Sequence, residues 1–204
     1  MKRKLELEVP YNEDKVILHT CCAPCSSAIV ECLMNNGVRP LIYYCNPNIY
    51  PFEEYEIRKN ECSRYADTLG LEIVDADYDH EDWLKRAASG LEDEPERGGR
   101  CLKCFLLRLE STARYAASHG YRVLTTTLAS SRWKSLDQIN EAGRRVCEKV
   151  NAELGLEGDN TLVWWEQNWR KGGLQERRLE IIKEMDFYNQ QYCGCEFSAR
   201  RLAK

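Results

Sequence analysis

The chain is predicted to adopt an α/β fold, a parallel sheet of about five strands with helices on both faces. Two observations predict it. Short apolar runs of strand length alternate with longer amphipathic runs of helical period, and turn-forming residues fall at the junctions between them. At 204 residues the chain is also long enough to bury a full core as one domain, 1–204, and it shows no internal repeat.

In order, residues 15–20 (KVILHT) form a short apolar strand. A helix over 26–35 follows, capped by Ser26 or Ser27 and stopped by Asn36-Gly37. Residues 39–45 (RPLIYYC) make the second strand. An amphipathic helix over 53–69 ends at Gly70 and leads into a third strand, 71–74. Residues 80–88 form a short helix, and 89–99, rich in charge, Gly and Pro, a mobile loop. A strong helix over 102–118 stops at Gly120, before a fourth strand at 122–126. A helix over 136–154, a fifth strand at 162–165 and a last helix over 174–188 complete the pattern and lead to Cys193-Gly-Cys195. In such a sheet the site lies at the carboxyl ends of the strands.

No apolar run approaches the roughly 20 residues that span a bilayer. The basic start, Met1 to Glu6, lacks the apolar core of a signal peptide. A cytoplasmic location with no membrane partner is therefore expected. There disulfides rarely persist, which makes eleven cysteines informative. Cys32, Cys45, Cys62 and Cys147 stand alone and read as core packing. The other seven cluster as Cys21, Cys22 and Cys25, as Cys101 and Cys104, and as Cys193 and Cys195. Clusters of this kind bind metals or exchange electrons.

The first two groups fall at helix N-termini, which favour thiolates and anionic clusters. Cys22-Ala-Pro-Cys25 looks like a thioredoxin-type dithiol, but the extra Cys21 and the distant Cys101-x-x-Cys104 do not fit that reading. Two groups that can jointly supply four ligands point instead to zinc or an iron–sulfur cluster, and the adjacency of Cys21 and Cys22 suits a larger cluster better than a zinc knuckle. Gly98-Gly99 would let the backbone approach a bulky cofactor closely. Oxidised Cys193-Gly-Cys195 is a strained ring that reduces easily, which suits a redox relay better than a structural staple; the pair could alternatively complete a metal site.

Charge is uneven. Residues 1–96 carry 10 basic and 20 acidic groups, or −10, and 97–204 carry 19 and 13, or +6. Arg132, Trp133, Lys134, Arg170 and Lys171 sit near glycines, serines and further tryptophans, with Arg177-Arg178 and Arg200-Arg201 beyond, a mixture suited to stacking bases and neutralising phosphates. Trp164 and Trp165 read equally well as core. Asn46, Asn48 and Tyr50, on a proline-fixed loop after strand two, are candidates for substrate recognition. Asp75, Asp77 and Asp79 read as a solvated turn ahead of a second-metal ligand or a proton donor, and the three histidines show no ligand spacing.

These segments together resemble the cobalamin-independent epoxyqueuosine reductases of QueH type. The residues that carry the likeness are His19-x-Cys-Cys-Ala-Pro-Cys25, Cys45-Asn-Pro-Asn-Ile49, Arg100-Cys-x-x-Cys104, residues 125–131 with Lys134-Ser135, and Tyr192-Cys-Gly-Cys195. The resemblance covers about residues 15–197. It implies a fold like that of the adenine nucleotide alpha-hydrolases (HUP-like), with the phosphate loop after strand one replaced by a cysteine motif. It further implies reduction of epoxyqueuosine to queuosine at the tRNA wobble position, and an electron donor not identified by the sequence. By the same likeness a 4Fe–4S cluster is held by Cys21, Cys22, Cys101 and Cys104, and Cys193 with Cys195 is the redox-active catalytic pair. Cys25 is then left to ligate a second, mononuclear iron or to replace one of the adjacent cysteines. The residues themselves leave two rivals open: a thiol–disulfide oxidoreductase using Cys22 and Cys25, and a zinc-stabilised RNA-binding module.

Overall fold

The structure, a computed structural model, describes residues 5–202, with side chains as far as Ala199. The side chains of Arg200 and Arg201 thus lie outside the described residues. Strands β1 (Val16–Thr20), β2 (Leu41–Tyr44), β3 (Ile73–Asp75), β4 (Val123–Thr126) and β5 (Val163–Trp164) form one sheet in the order β3-β2-β1-β4-β5. Every neighbouring pair is parallel, with Ile17 opposite Leu41 on one side and Leu124 on the other. The helices are α1 (Ala23–Asn35), α2 (Phe52–Leu69), α3 (His80–Trp83), α4 (Gly99–Ser118), α5 (Leu136–Leu154), α6 (Leu174–Glu184) and α7 (Glu196–Leu202).

All five residues of β1 are buried, as a central strand covered on both faces requires. Val16 and Leu18 join Ile42 and Tyr44 beneath α1, α2 and α6, while Ile17 joins Leu41, Tyr43 and Leu124 beneath α4 and α5. The four isolated cysteines are buried as expected. So are Trp164, Trp165 and Trp169, which are core residues and not stacking surfaces. No described helix is long and apolar enough to cross a membrane.

Four elements differ from the sequence expectation. Helix α1 starts at Ala23, three residues early, because Pro24 fits a first turn that needs no N–H from it. Ser26 is therefore inside the helix and donates to the Ala23 carbonyl at 3.2 Å. Helix α4 also starts early, at Gly99, where the Glu94 carboxylate accepts from the Arg100 N–H at 3.2 Å. A Cβ on Gly98 would meet that carboxylate at 2.5 Å, so the glycine pair makes room for a helix cap. Helix α3 widens into a π turn over Leu84–Ala88. The last helix stops at Glu184 and a further short helix, α7, follows the Cys-Gly-Cys turn.

Gly143 sets the approach of α5 to β5. A Cβ there would lie 2.0 Å from Cδ2 of Trp164, whose indole N–H donates to Asn140 Oδ1 at 3.2 Å. Gly143→Ala should gain up to ~1 kcal/mol of helix propensity but lose more to overpacking. We expect a net destabilisation of about 2 kcal/mol, seen as a melting temperature lower by roughly 4–8 °C in calorimetry. An unchanged melting temperature would mean that the helix backs away freely.

Candidate redox and metal centre

The sheet order reverses between β1 and β4, and in an open parallel sheet the crevice at that point is the binding site. The chain puts sulfur there. Cys21 and Cys22 follow β1 directly, and Cys25 lies in the first turn of α1. The loop after β4 meets them: Thr127 Oγ1 accepts from the Cys21 N–H at 3.2 Å and lies 3.5 Å from its sulfur. The sulfurs of Cys21, Cys22 and Cys25 all lie within 4.8 Å of one another, with 3.8 Å between the first two.

Above this group opens a cleft of about 700 Å³. Six cysteines line it: Cys21, Cys25, Cys101, Cys104, Cys193 and Cys195. Cys101 and Cys104 come from the first turns of α4, and Cys193 and Cys195 from the turn before α7. All eleven cysteines are free thiols. The tightest metal-competent group among the described residues is thus Cys21, Cys22 and Cys25, with Cys101 and Cys104 on the facing helix.

Other expected residues separate into two sets. Asn48, Arg132, Trp133 and Lys134 line the cleft, and Trp133 is 79% exposed on its rim. The Arg132 and Trp133 carbonyls accept from Arg97 at 2.9 Å each, which fixes this rim. Asn46 is buried away from the cleft, donating to the Thr20 carbonyl and accepting from Arg108. Tyr50 lies outside the lining, with its ring stacked on His80 at 5.0 Å. Arg170 acts from behind, donating to the Lys134 carbonyl at 2.9 Å, and Lys171 is exposed outside the lining.

Three features went unseen in the sequence. Arg108 is only 2% exposed, yet no carboxylate pairs with it among the described residues. It donates to the Cys45 carbonyl at 3.1 Å and lies 4.0 Å from the Cys104 sulfur. Its spacing of seven and four residues from Cys101 and Cys104, one helix face, was the available signal. Arg58, paired with Glu54, donates to the carbonyls of Tyr192 and Cys193 and so ties the Cys-Gly-Cys turn to α2. Gln190 reaches back over α1, donating to the Cys22 sulfur at 2.8 Å.

Gly194 makes that turn possible. Its φ is +134°, and a Cβ would meet Ile49, Asn48 and Arg58 at 3.0–3.2 Å. Cys193 is exposed and Cys195 half-buried, its sulfur 3.1 Å from Ser198 Oγ.

The thiols around Cys21 act on one another's ionisation. The Cys21 thiol sits well below the ordinary range because Cys22 and Cys25 hydrogen-bond to its sulfur. Burial holds Cys22 far up, and the bond to Cys21 pushes Cys25 up to about 11. Cys21 is thus the sulfur of the three that ionises first, and a metal ion would ionise the others. Burial also raises Cys104, and pushes Cys101 up to about 12. It works against the Lys134 ammonium too, but the sulfurs of Cys193, Cys21 and Cys25 outweigh it and raise the pKa. His19 stays neutral, held down to about 3 by burial and by Arg108. Soft thiols facing two unpaired cations fit an anionic iron–sulfur cluster.

The chain matches the family described as epoxyqueuosine reductase QueH over residues 16–201. It is 47% identical over 199 residues to the epoxyqueuosine reductase QueH of Histophilus somni, covering 98% of this chain and 78% of that protein. It is 46% identical to that of Haemophilus influenzae, over 96% and 76%. Among solved structures it resembles the U34-tRNA thiolase NcsA from Methanococcus maripaludis with its 4Fe–4S cluster. The TM-score is 0.52 at 14% identity, covering 97% of this chain and 64% of that one, a likeness of fold.

Proposed function

The chain belongs to the epoxyqueuosine reductase QueH family, oxidoreductases of tRNA modification, and we propose that its cleft removes the epoxide oxygen of epoxyqueuosine at the tRNA wobble position. The observation that carries this reading is the convergence of six cysteines from three segments on one cleft whose rim is basic and aromatic.

The reaction breaks both C–O bonds of the epoxide and leaves an alkene. It consumes two electrons and two protons, and the oxygen leaves as water. Cys193 and Cys195 supply that balance: two thiols give two electrons and two protons and become one disulfide. Gly194 lets the two sulfurs share a tight turn, and Ser198 hydrogen-bonds the Cys195 sulfur. An external reductant then restores the dithiol. Cys21, Cys22, Cys101 and Cys104 would hold a 4Fe–4S cluster, with Cys25 available to a second iron or in place of a neighbour. Such a cluster supplies single electrons and a Lewis-acidic iron. Lys134, cationic in the cleft, stabilises negative charge on the departing oxygen. Arg132 and Trp133 receive the anticodon loop, one on phosphate and one on a base.

A thioredoxin-type role for Cys22 and Cys25 is disfavoured by burial. Cys22 is 1% exposed and roofed by Gln190, whereas an attacking thiolate needs access. Anaerobic purification followed by iron, sulfide and zinc analysis separates the readings. Iron with sulfide, and conversion of epoxyqueuosine-containing tRNA under a low-potential reductant, is the expected result. Zinc alone, or no conversion, would refute it.

A further inference from the structure

Three carboxamide oxygens on the cleft residues Asn48, Gln138 and Gln190 are buried without a hydrogen-bond partner. A buried acceptor left unpaired is costly, so a set of three in one cleft marks where a ligand brings donors. Two of the three have their amide nitrogens committed. Gln190 Nε2 donates to the Cys22 sulfur, and Gln138 Nε2 donates to the Arg97 carbonyl at 2.7 Å, an acceptor only, so the Gln138 oxygen is fixed as the free acceptor. Asn48 is 2% exposed and packs beside Gly194, between the two redox cysteines. Gln190 sits over Cys22 and Cys25. Both side chains thus lie beside cysteines of the cleft, and Gln138 lies against the loop before α4.

Hydroxyls are donors that fit such acceptors. Epoxyqueuosine carries its epoxide on a cyclopentane ring that also bears two adjacent hydroxyls, so whatever grips those hydroxyls also places the epoxide. We propose that the side-chain oxygens of Asn48 and Gln190 accept hydrogen bonds from this vicinal diol and hold the ring beside the cysteines. The assignment rests on the epoxide-reductase reading above and makes both residues specificity determinants, each touching the substrate ring.

The test is equilibrium binding to the anaerobically prepared holoprotein. One tRNA carries epoxyqueuosine; the other carries the 7-aminomethyl-7-deazaguanine base without the ring. The wild type should prefer the first by about tenfold or more, and Asn48→Leu and Gln190→Met should each erase most of that preference. Asn48→Asp keeps an acceptor and should keep the preference. Iron and sulfide content and melting temperature show that each variant is folded and loaded. Equal binding of both tRNAs by the wild type, or equal weakening of both in the variants, would overturn the assignment. Conversion is scored separately. Preference without conversion supports the diol contact and removes the reductase reading, and conversion without preference does the reverse.

Discussion

Replacing Cys193 with serine is expected to reduce multiple-turnover epoxide reduction by at least about a hundredfold while leaving iron, sulfide and melting temperature unchanged. Cys193 is exposed, lines the cleft and belongs to none of the hydrophobic clusters among the described residues. Its removal therefore isolates the chemistry. A serine cannot close a disulfide, so the two-electron, two-proton donation stops with Cys195 holding one thiol. Cys195→Ser should behave alike in turnover, with some loss of stability, because Cys195 packs against the small cluster of Trp83, Cys104 and Phe197. Full multiple-turnover activity in Cys193→Ser would remove the dithiol from the mechanism.

Arg108→Met is the second large effect. A guanidinium buried to this degree normally has a carboxylate beside it. Here its neighbours are a carbonyl, an amide and sulfur. The missing anion is therefore expected to be the cysteine-bound cluster, and the charge favours the more reduced, more negative state. Removing it should lower the midpoint potential by roughly 60 mV or more, since one tenfold change in a one-electron equilibrium corresponds to about 59 mV. Iron retention during gel filtration should fall as well. Arg108→Lys, which keeps the charge but loses the forked contacts, should hold most of the potential. A potential unmoved in Arg108→Met would show that Arg108 is only a brace for Cys45 and Asn46.

How much of this was legible in the sequence follows from what kind of force decides each feature. The central strands were readable because buried parallel strands are continuous apolar runs, and the glycines after α2 and α4 punctuated the pattern. The short helix α7 was not, because seven residues carry no full period and the preceding Cys-Gly-Cys drew the reading toward chemistry. The cysteine groups were legible as clusters, and their meeting on one sheet edge followed from the strand order. Asn46 was misleading for the opposite reason: a polar residue after a strand looks like a site, and here its amide closes a backbone gap at Thr20. Gln190 was invisible because nothing local distinguishes a glutamine that folds back across 168 residues of sequence to meet Cys22.

Trp133 gives the cleft a built-in optical label. Of the five tryptophans, four are at most 8% exposed, and Trp133 alone stands in water, at 79%. Emission from the four buried indoles is set by the protein interior, so any red-edge component reports on this one ring. Steady-state fluorescence of the unmodified protein can therefore follow occupancy of the cleft mouth without a dye and without turnover.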